Sequence, residues 1–423
     1  MKNKQALFLL LTANVVSGFA QGISMLAIPW YFASVLNSPS TFGIIYAITT
    51  LLSLFWSLYA GTLIDRYSRK NIFMIISLVA GLILLAVSLI GFQLGYVPII
   101  LITVVFTATV LNFNIHYPSL YAFGQEITEK ENYGKINSYL EIQGQATTII
   151  SGALAAVLLQ GISAHEVVNL LGIKINFPFA IKKWELHEIF LMDAITYFIG
   201  VMLIVFIRYT PQIKNNIEKG EVWKRVKTGY QFLRNNPLLF IFGNTSYAIF
   251  VVLIVEVHLL LPMYINNHLH AGADVYASSE IFYAIGALFA GVGIQWLFRK
   301  MNTVLSIIIL MFATVCILYL VVFTKMIGIF FAFSFLMGIT NAGARVLRIT
   351  YLFHRIPNEV IGRAGSVFSM INIMLRFLFI SLFSTALFTT SNNVIWAYFV
   401  CGTFVLFSML VLIIKYKPLK DLK

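Results

Sequence analysis

The chain has 423 residues, of which 60% are apolar and only 11% charged, and it carries a formal net charge of +13. A water-soluble domain has roughly half apolar and a quarter charged residues, so a soluble enzyme, a disordered chain and a disulfide scaffold are excluded. The apolar content is enough for about twelve membrane crossings at roughly 20 residues each.

Apolar runs able to cross about 30 Å of hydrocarbon predict helical spans at 6–36, 40–64, 72–93, 97–121, 136–160 and 188–208, then at 238–264, 276–298, 303–323, 327–352, 364–388 and 392–414. The runs are too long, and alternate too little, for the strands of a membrane barrel. Lys2 and Lys4 precede the first run in the manner of a signal peptide, but that run continues to Leu36, which favours an uncleaved helix. Within it, Asn14, Ser17, Gln21 and Ser24 share one helical face, and Gly18 and Gly22 permit close helix approach. The long loop 161–187 partly alternates from Gly172 to Phe179, which fits a short hairpin or an interfacial lid. Residues 209–236 separate six spans from six, dividing the chain into 1–208, 209–236 and 237–423. In that linker Val222, Trp223, Val226, Tyr230 and Leu233 fall on one helical face and Lys224, Arg225, Lys227 and Arg234 elsewhere, predicting a basic amphipathic helix on the inner leaflet.

Twelve spans return both termini to one side. Of the 29 Lys and Arg residues, 22 lie on the side of the termini, 4 on the other, and 3 (Arg345, Arg348 and Arg376) within spans. This asymmetry predicts cytoplasmic termini in a cytoplasmic (inner) membrane, and it turns the excess charge into topology rather than a signal for nucleic acid. Cys316 and Cys401 lie in spans and read as buried apolar thiols. No phosphate-cradling glycine motif is visible, and no cofactor or metal is implied.

An internal repeat supports the division. Gly61, Arg69 and Lys70, after span 2, recur as Gly291, Arg299 and Lys300 after span 8. Glu131, Gly134, Lys135 and Ser138, entering span 5, recur as Glu359, Gly362, Arg363 and Ser366 entering span 11. The offsets are 230 and 228 residues, so the halves repeat in parallel, an architecture of membrane carriers with a site at the repeat interface.

The loop Gly61-Thr62-Leu63-Ile64-Asp65-Arg66-Tyr67-Ser68-Arg69-Lys70 resembles the signature between helices 2 and 3 of the major facilitator superfamily, with Ser68 where that pattern favours Gly. Three further segments resemble its macrolide-efflux-like branch, which also contains siderophore exporters. These are Ser17-Gly18 with Ala27-Ile28-Pro29-Trp30, the linker stretch Lys227-Thr228-Gly229-Tyr230-Gln231-Phe232-Leu233-Arg234-Asn235-Asn236-Pro237, and Pro357-Asn358-Glu359-Val360-Ile361-Gly362-Arg363. The resemblance implies an all-α membrane protein of twelve helices in two pseudo-symmetric six-helix halves. It implies gating by Asp65 facing the positive N-terminus of helix 11 near Gly362, with Gly61, Arg66, Arg69, Lys70, Glu131 and Arg363 in the same machinery. Arg66 and Arg69 can pair with the run Glu126, Glu129 and Glu131. Gln295 stands in the repeat where Asp65 stands in the first half.

Ionisable groups inside spans cost at least ~2.5–3.5 kcal/mol on insertion scales and usually face a cavity or a partner. Arg345 and Arg348 on span 10 extend a polar stripe from Asn341 and Ser334. Arg376 lies ~18 Å into span 11 at 1.5 Å per residue, beyond Ser366, Ser369 and Asn372. The superfamily lines its cavity with helices 1, 4, 7 and 10, so Asn14, Gln21, Asn341, Arg345, Arg348 and Arg376 are the substrate-binding candidates. Guanidinium groups favour carboxylate or phosphate, and drug-exporting relatives mostly carry small or uncharged residues at the three Arg positions; together these point to an anionic solute. The opposing reading is that the arginines tie helices together. Glu141, Glu256 and Asp193 are the proton-coupling candidates, Asp193 lying in a segment, Leu191 to Phe198, that also resembles a family structural feature. Glu280 opens span 8. His116 and His258 read as hydrogen-bonded structural histidines, and His268 with His270 is a weak metal signal.

The expectation is a proton-coupled secondary transporter exporting a small anionic or amphipathic solute, with the bilayer, protons and that solute as its partners, acting as a monomer. Uptake of an anionic metabolite fits the same fold. A membrane enzyme or sensor would need a catalytic constellation, and none is visible, so no enzyme is expected.

Overall fold

The computed structural model describes residues 3–163, 167–170, 173–176, 180–208 and 222–422; the side chains of Gly61, Asp65, Arg66 and Glu359, singled out by the motifs, and linker residues 209–221 lie outside the described residues. Twelve helices are long and apolar enough to cross a membrane: Lys4–Val35, Pro39–Ala60, Arg69–Leu94, Ile99–Glu126, Ile136–Gln160 and Leu186–Val205, then Pro237–Asn267, Ala273–Ile294, Thr303–Phe323, Ile327–Arg355, Val360–Phe383 and Val394–Ile414. They match the predicted spans one for one, and the protein is an all-α, multi-pass membrane protein. The ends differ most at span 11, which runs Val360–Phe383 rather than 364–388, and span 4 continues past residue 121 to Glu126. Its polar last turn leaves the hydropathy signal but keeps its backbone hydrogen bonds.

The loop after span 5 is a hairpin. Strand β1 (Val167–Leu170) pairs antiparallel with β2 (Ile173–Asn176), Val167 opposite Asn176, and Ile162 bridges Ile181 below it.

The chain forms two compact units, residues 1–31 with 55–219 and residues 32–54 with 220–423. In the first unit a core at the termini-side ends of spans 1, 3, 4, 5 and 6 gathers Leu7, Leu10, Phe73, Leu120, Phe123, Ile136, Leu140 and Ile204. Asn3 closes that end: its side chain accepts from Ala6 N at 2.9 Å and donates to Arg208 O at 2.7 Å. Of the two glycines expected to bring helices together, only Gly22 is required to do so. A Cβ there would lie 2.7 Å from Ser151 Oγ on span 5, whereas one at Gly18 would sit in ordinary contact with Thr147.

The tightest crossing in the second unit joins spans 8 and 10. A Cβ on Gly286 would collide with the Phe335 carbonyl, and one on Gly338 with the Tyr283 carbonyl. The two backbones therefore touch, in the small-residue packing typical of membrane helices, with Ala287, Ala290 and Ala342 alongside. The linker helix (Val222–Asn235) is docked similarly: Gly229 is buried where a Cβ would meet the Arg363 carbonyl, and Leu233 is fully buried. Its expected apolar face is thus divided. Leu233 turns to the start of span 11, while Trp223 and Tyr230 are exposed.

Span 7 is not one regular helix. It breaks at Tyr247, between Pro237–Ser246 and Ala248–Val255, and widens to a π turn at Glu256–Leu260 before Leu261–Asn267. Pro262 explains the π turn. It has no N–H, and its ring crowds the carbonyl four residues earlier. Leu261 N–H instead reaches back five residues to Glu256 O.

Replacing Gly338 by Val is expected to destabilise the protein by about 1–3 kcal/mol through overpacking, read as a lower unfolding midpoint in detergent. Gly293→Ala, where a Cβ meets nothing within 4 Å, is expected to leave the midpoint unchanged or raise it.

Candidate functional site

The irregularities of span 7 create backbone groups that other helices must satisfy. In the five-residue pattern of the π turn Val257 O would pair with residue 262, which is proline and has no donor. The Tyr276 hydroxyl takes that carbonyl at 3.1 Å, and the Tyr46 hydroxyl donates to Ile254 O at 3.0 Å. At the upstream break, Arg348 Nη1 donates to Ser246 O at 3.0 Å, with its guanidinium stacked 3.6 Å from the Tyr247 ring centroid. Arg348 is buried. In this position it ties span 10 to the break in span 7.

Around the π turn lies a partly buried cluster. Glu256 faces the Tyr398 hydroxyl at 3.5 Å, and Glu280 is near enough to interact electrostatically with Glu256, Tyr276 and Tyr283. Asn341 Nδ2 donates to the Tyr283 hydroxyl at 2.7 Å, and Arg345, one turn further along span 10, acts on the same tyrosine. Arg376 sits 5.9 Å from the Phe250 ring centroid and acts on Tyr46 and His258. His258 was expected to be hydrogen-bonded. Instead its Nδ1 has no partner, and its ring packs edge-on to Tyr46 at 5.8 Å, because Tyr46 gives its hydroxyl to the backbone. Among the described residues of this unit, the buried side-chain atoms without a protein partner are Arg348 Nε, Arg376 Nε, Asn372 Nδ2 and His258 Nδ1. The first three are donors, and no acceptor stands among them.

Tyr276, Glu280 and Tyr283 escaped the sequence reading as a set, although their spacing of four and then three residues puts them on one face of span 8. Tyr46, Tyr247 and Tyr398 carried no comparable signal, since each is brought in by another helix.

The first unit holds a second polar chain along span 1. Asn14 Oδ1 accepts from His116 Nε2 at 2.8 Å, the hydrogen bond expected of a structural histidine. Ser24 Oγ donates to Asp193 Oδ2 at 2.6 Å, and Asn112 Nδ2 donates to the Tyr197 hydroxyl at 3.0 Å. Asp193 is fully buried with Oδ1 unpartnered, and buried Gln21 has Nε2 unpartnered. Glu141 lies apart, accepting from Tyr121 at 2.8 Å.

The signature loop lies in the first unit. Arg69 Nη1 is 2.9 Å from Glu126 Oε2. Lys70 Nζ donates to Val205 O at 2.9 Å and Ile207 O at 2.7 Å, a cation on the negative C-terminus of span 6. Glu131 and Gly362 are exposed.

Twelve spans, a repeat in parallel halves and this loop find their match in one family: the model of the Major Facilitator Superfamily matches residues 10–379. The chain belongs to that superfamily. It is a membrane transporter and not an enzyme. Over 98% of its length it is similar to a bacterial homologue of the iron transporter ferroportin in an inward-facing state, at 16% identity, covering 99% of that chain with a TM-score of 0.70. The nucleoside transporter NupG is similar at 11% identity over 97% of this chain and 99% of that one, TM-score 0.70. At such identities the likeness is one of fold. The multidrug efflux pump Tap of Mycobacterium bovis is 29% identical over 93 residues, 22% of this chain and 22% of that pump; the match spans about a fifth of the relative's length.

Among the described residues of this major facilitator protein no group of three or more His, Cys, Asp or Glu could hold a metal ion. Both ring nitrogens of His268 are engaged, with Asn392 Oδ1 at 3.0 Å and Thr324 O at 3.1 Å.

Arg348→Met is expected to destabilise the protein by about 2 kcal/mol or more, from a desolvated cation–π contact and an orphaned carbonyl. Arg376→Gln is expected to unfold no earlier than wild type in the same thermal assay.

Proposed function

We propose that this transporter exports a small anionic, amphipathic solute in exchange for protons, by alternating access, from a cytoplasmic membrane in which it acts as a monomer. The observation that carries the solute class is the set of unpartnered buried donors in the second unit, Arg376 Nε foremost. A buried donor without a partner is costly, and an oxyanion satisfies several at once through charge-assisted hydrogen bonds. Arg376, Arg345 and Asn341 contact the solute in this reading, while Arg348 braces span 7. Asn14 and Gln21 are the corresponding contacts in the first unit.

Glu256 and Asp193 are the preferred proton carriers. Each is inside a span, and neither forms an ion pair among the described residues. Their charged forms therefore carry an uncompensated desolvation cost, which taking up a proton removes. Glu141, bonded to Tyr121, is the third candidate. Gating rests on the signature loop: Gly61, Asp65 and Arg66 with Arg69, Lys70 and Glu131 on one side, Gly362 and Arg363 on the other. The local likeness to an efflux pump supports export, and the 22-to-4 charge asymmetry supports cytoplasmic termini.

The test compares small molecules inside and outside cells producing wild type, Arg376→Gln or no transporter. The expected result is at least one anionic metabolite exported by wild type and retained about tenfold more in the variant, the roughly 1.4 kcal/mol of a single good charged contact. Equal distributions with a correctly inserted variant would sink the reading. With that metabolite in proteoliposomes, wild type is expected to move protons, and Glu256→Gln to move the solute without them.

A further inference from the structure

A polar cavity lies in the second unit at the turns beyond the span ends. It is open, holds about 520 Å³, and is lined by Asn37, His268, His270, Lys325, Ser391 and Asn392 among others. These residues come from the turns after spans 1, 7, 9 and 11, so the cavity is on the face opposite the termini.

Two features mark it as a built site rather than a gap between loops. Asn37, His270 and Ser391 have φ of 47°, 50° and 52°, and they are the non-glycine residues with positive φ among the described residues. All three line this one cavity. Each stands just past a helix end, and two of these ends are closed by hydrogen bonds reaching six residues back, Ser38 N–H to Phe32 O at 2.8 Å and Ala271 N–H to Ile265 O at 3.0 Å, so left-handed caps fix the backbone of the rim. The walls are also fixed. His268 is buried and held through both ring nitrogens by Asn392 and Thr324, and Asn266 Nδ2 ties the wall to Ala33 O at 3.3 Å.

The lining chemistry selects the ligand. Its ionisable groups are Lys325, His268 and His270, with no carboxylate among the lining residues, and Asn37, Asn267 and Asn392 add amide donors. We propose that this cavity binds a small oxyanion, a carboxylate or phosphate group, through Lys325, His270 and the rim amides, as a site separate from Arg376. The same chemistry is carried by a free solute and by an anionic lipid headgroup.

The test uses full-length protein in detergent, titrated with citrate or inorganic phosphate against chloride at matched ionic strength, following the unfolding midpoint. Wild type is expected to be stabilised by citrate. Lys325→Gln, at an exposed position, is expected to weaken the apparent affinity at least tenfold, as is Asn392→Asp, which brings a carboxylate beside His268. In the Arg376→Gln background, where the other candidate anion site is altered, the part of the stabilisation that Lys325→Gln removes is expected to persist. In nanodiscs, a Lys325-dependent stabilisation that appears only with phosphatidylglycerol assigns the oxyanion to lipid; citrate stabilisation retained in pure phosphatidylcholine assigns it to a free solute. No stabilisation over chloride by citrate, phosphate or phosphatidylglycerol overturns the proposal. So does equal stabilisation in Lys325→Gln, or a loss in Arg376→Gln with none in Lys325→Gln.

Discussion

In hydrocarbon every backbone carbonyl or N–H freed by a departure from a regular helix must find another partner, in the backbone, a side chain or enclosed water. This constraint organises the second unit. Span 7 departs twice, at Tyr247 and at the π turn before Pro262. Three side chains from three other helices answer: Arg348 at Ser246 O, Tyr276 at Val257 O and Tyr46 at Ile254 O. The polar groups near Glu256 are there partly because the backbone needs them, and His258 Nδ1 and Arg376 Nε are left without partners.

That view separates the three arginines. Sequence treats Arg345, Arg348 and Arg376 alike, as costly charges in apolar helices. Arg348 has an acceptor and an aromatic platform. Arg376 has an aromatic neighbour but an unpartnered Nε. Both keep an unpartnered Nε; what sets Arg348 apart is that it also holds the Ser246 carbonyl at the break in span 7.

Much of the architecture was legible because bilayer thickness and the sidedness of Lys and Arg are one-dimensional properties of a chain. Twelve spans and the repeat can be read without knowing which helices touch. The division of roles within the spans is three-dimensional. Nothing local to Tyr46 indicates that it serves a carbonyl on span 7, and nothing local to Asn37, His270 and Ser391 indicates a shared cavity, since they are hundreds of residues apart. One feature was readable and passed over: Tyr276, Glu280 and Tyr283 repeat at helical spacing, a polar face inside an apolar span. The π turn had a partial signal in Pro262, but a proline announces a disturbance without announcing its form.

The backbone contact between Gly286 and Gly338 has a mechanical meaning. Two helices whose main chains touch cannot slide or rotate against each other without a clash, so spans 8 and 10 form a single plate. Glu280, Tyr283, Asn341 and Arg345 are mounted on it at fixed separations. Span 7, opposite, is jointed in two places and carries Glu256 on its second joint. The cluster thus joins two helices locked at one spacing to a third that is interrupted beside them.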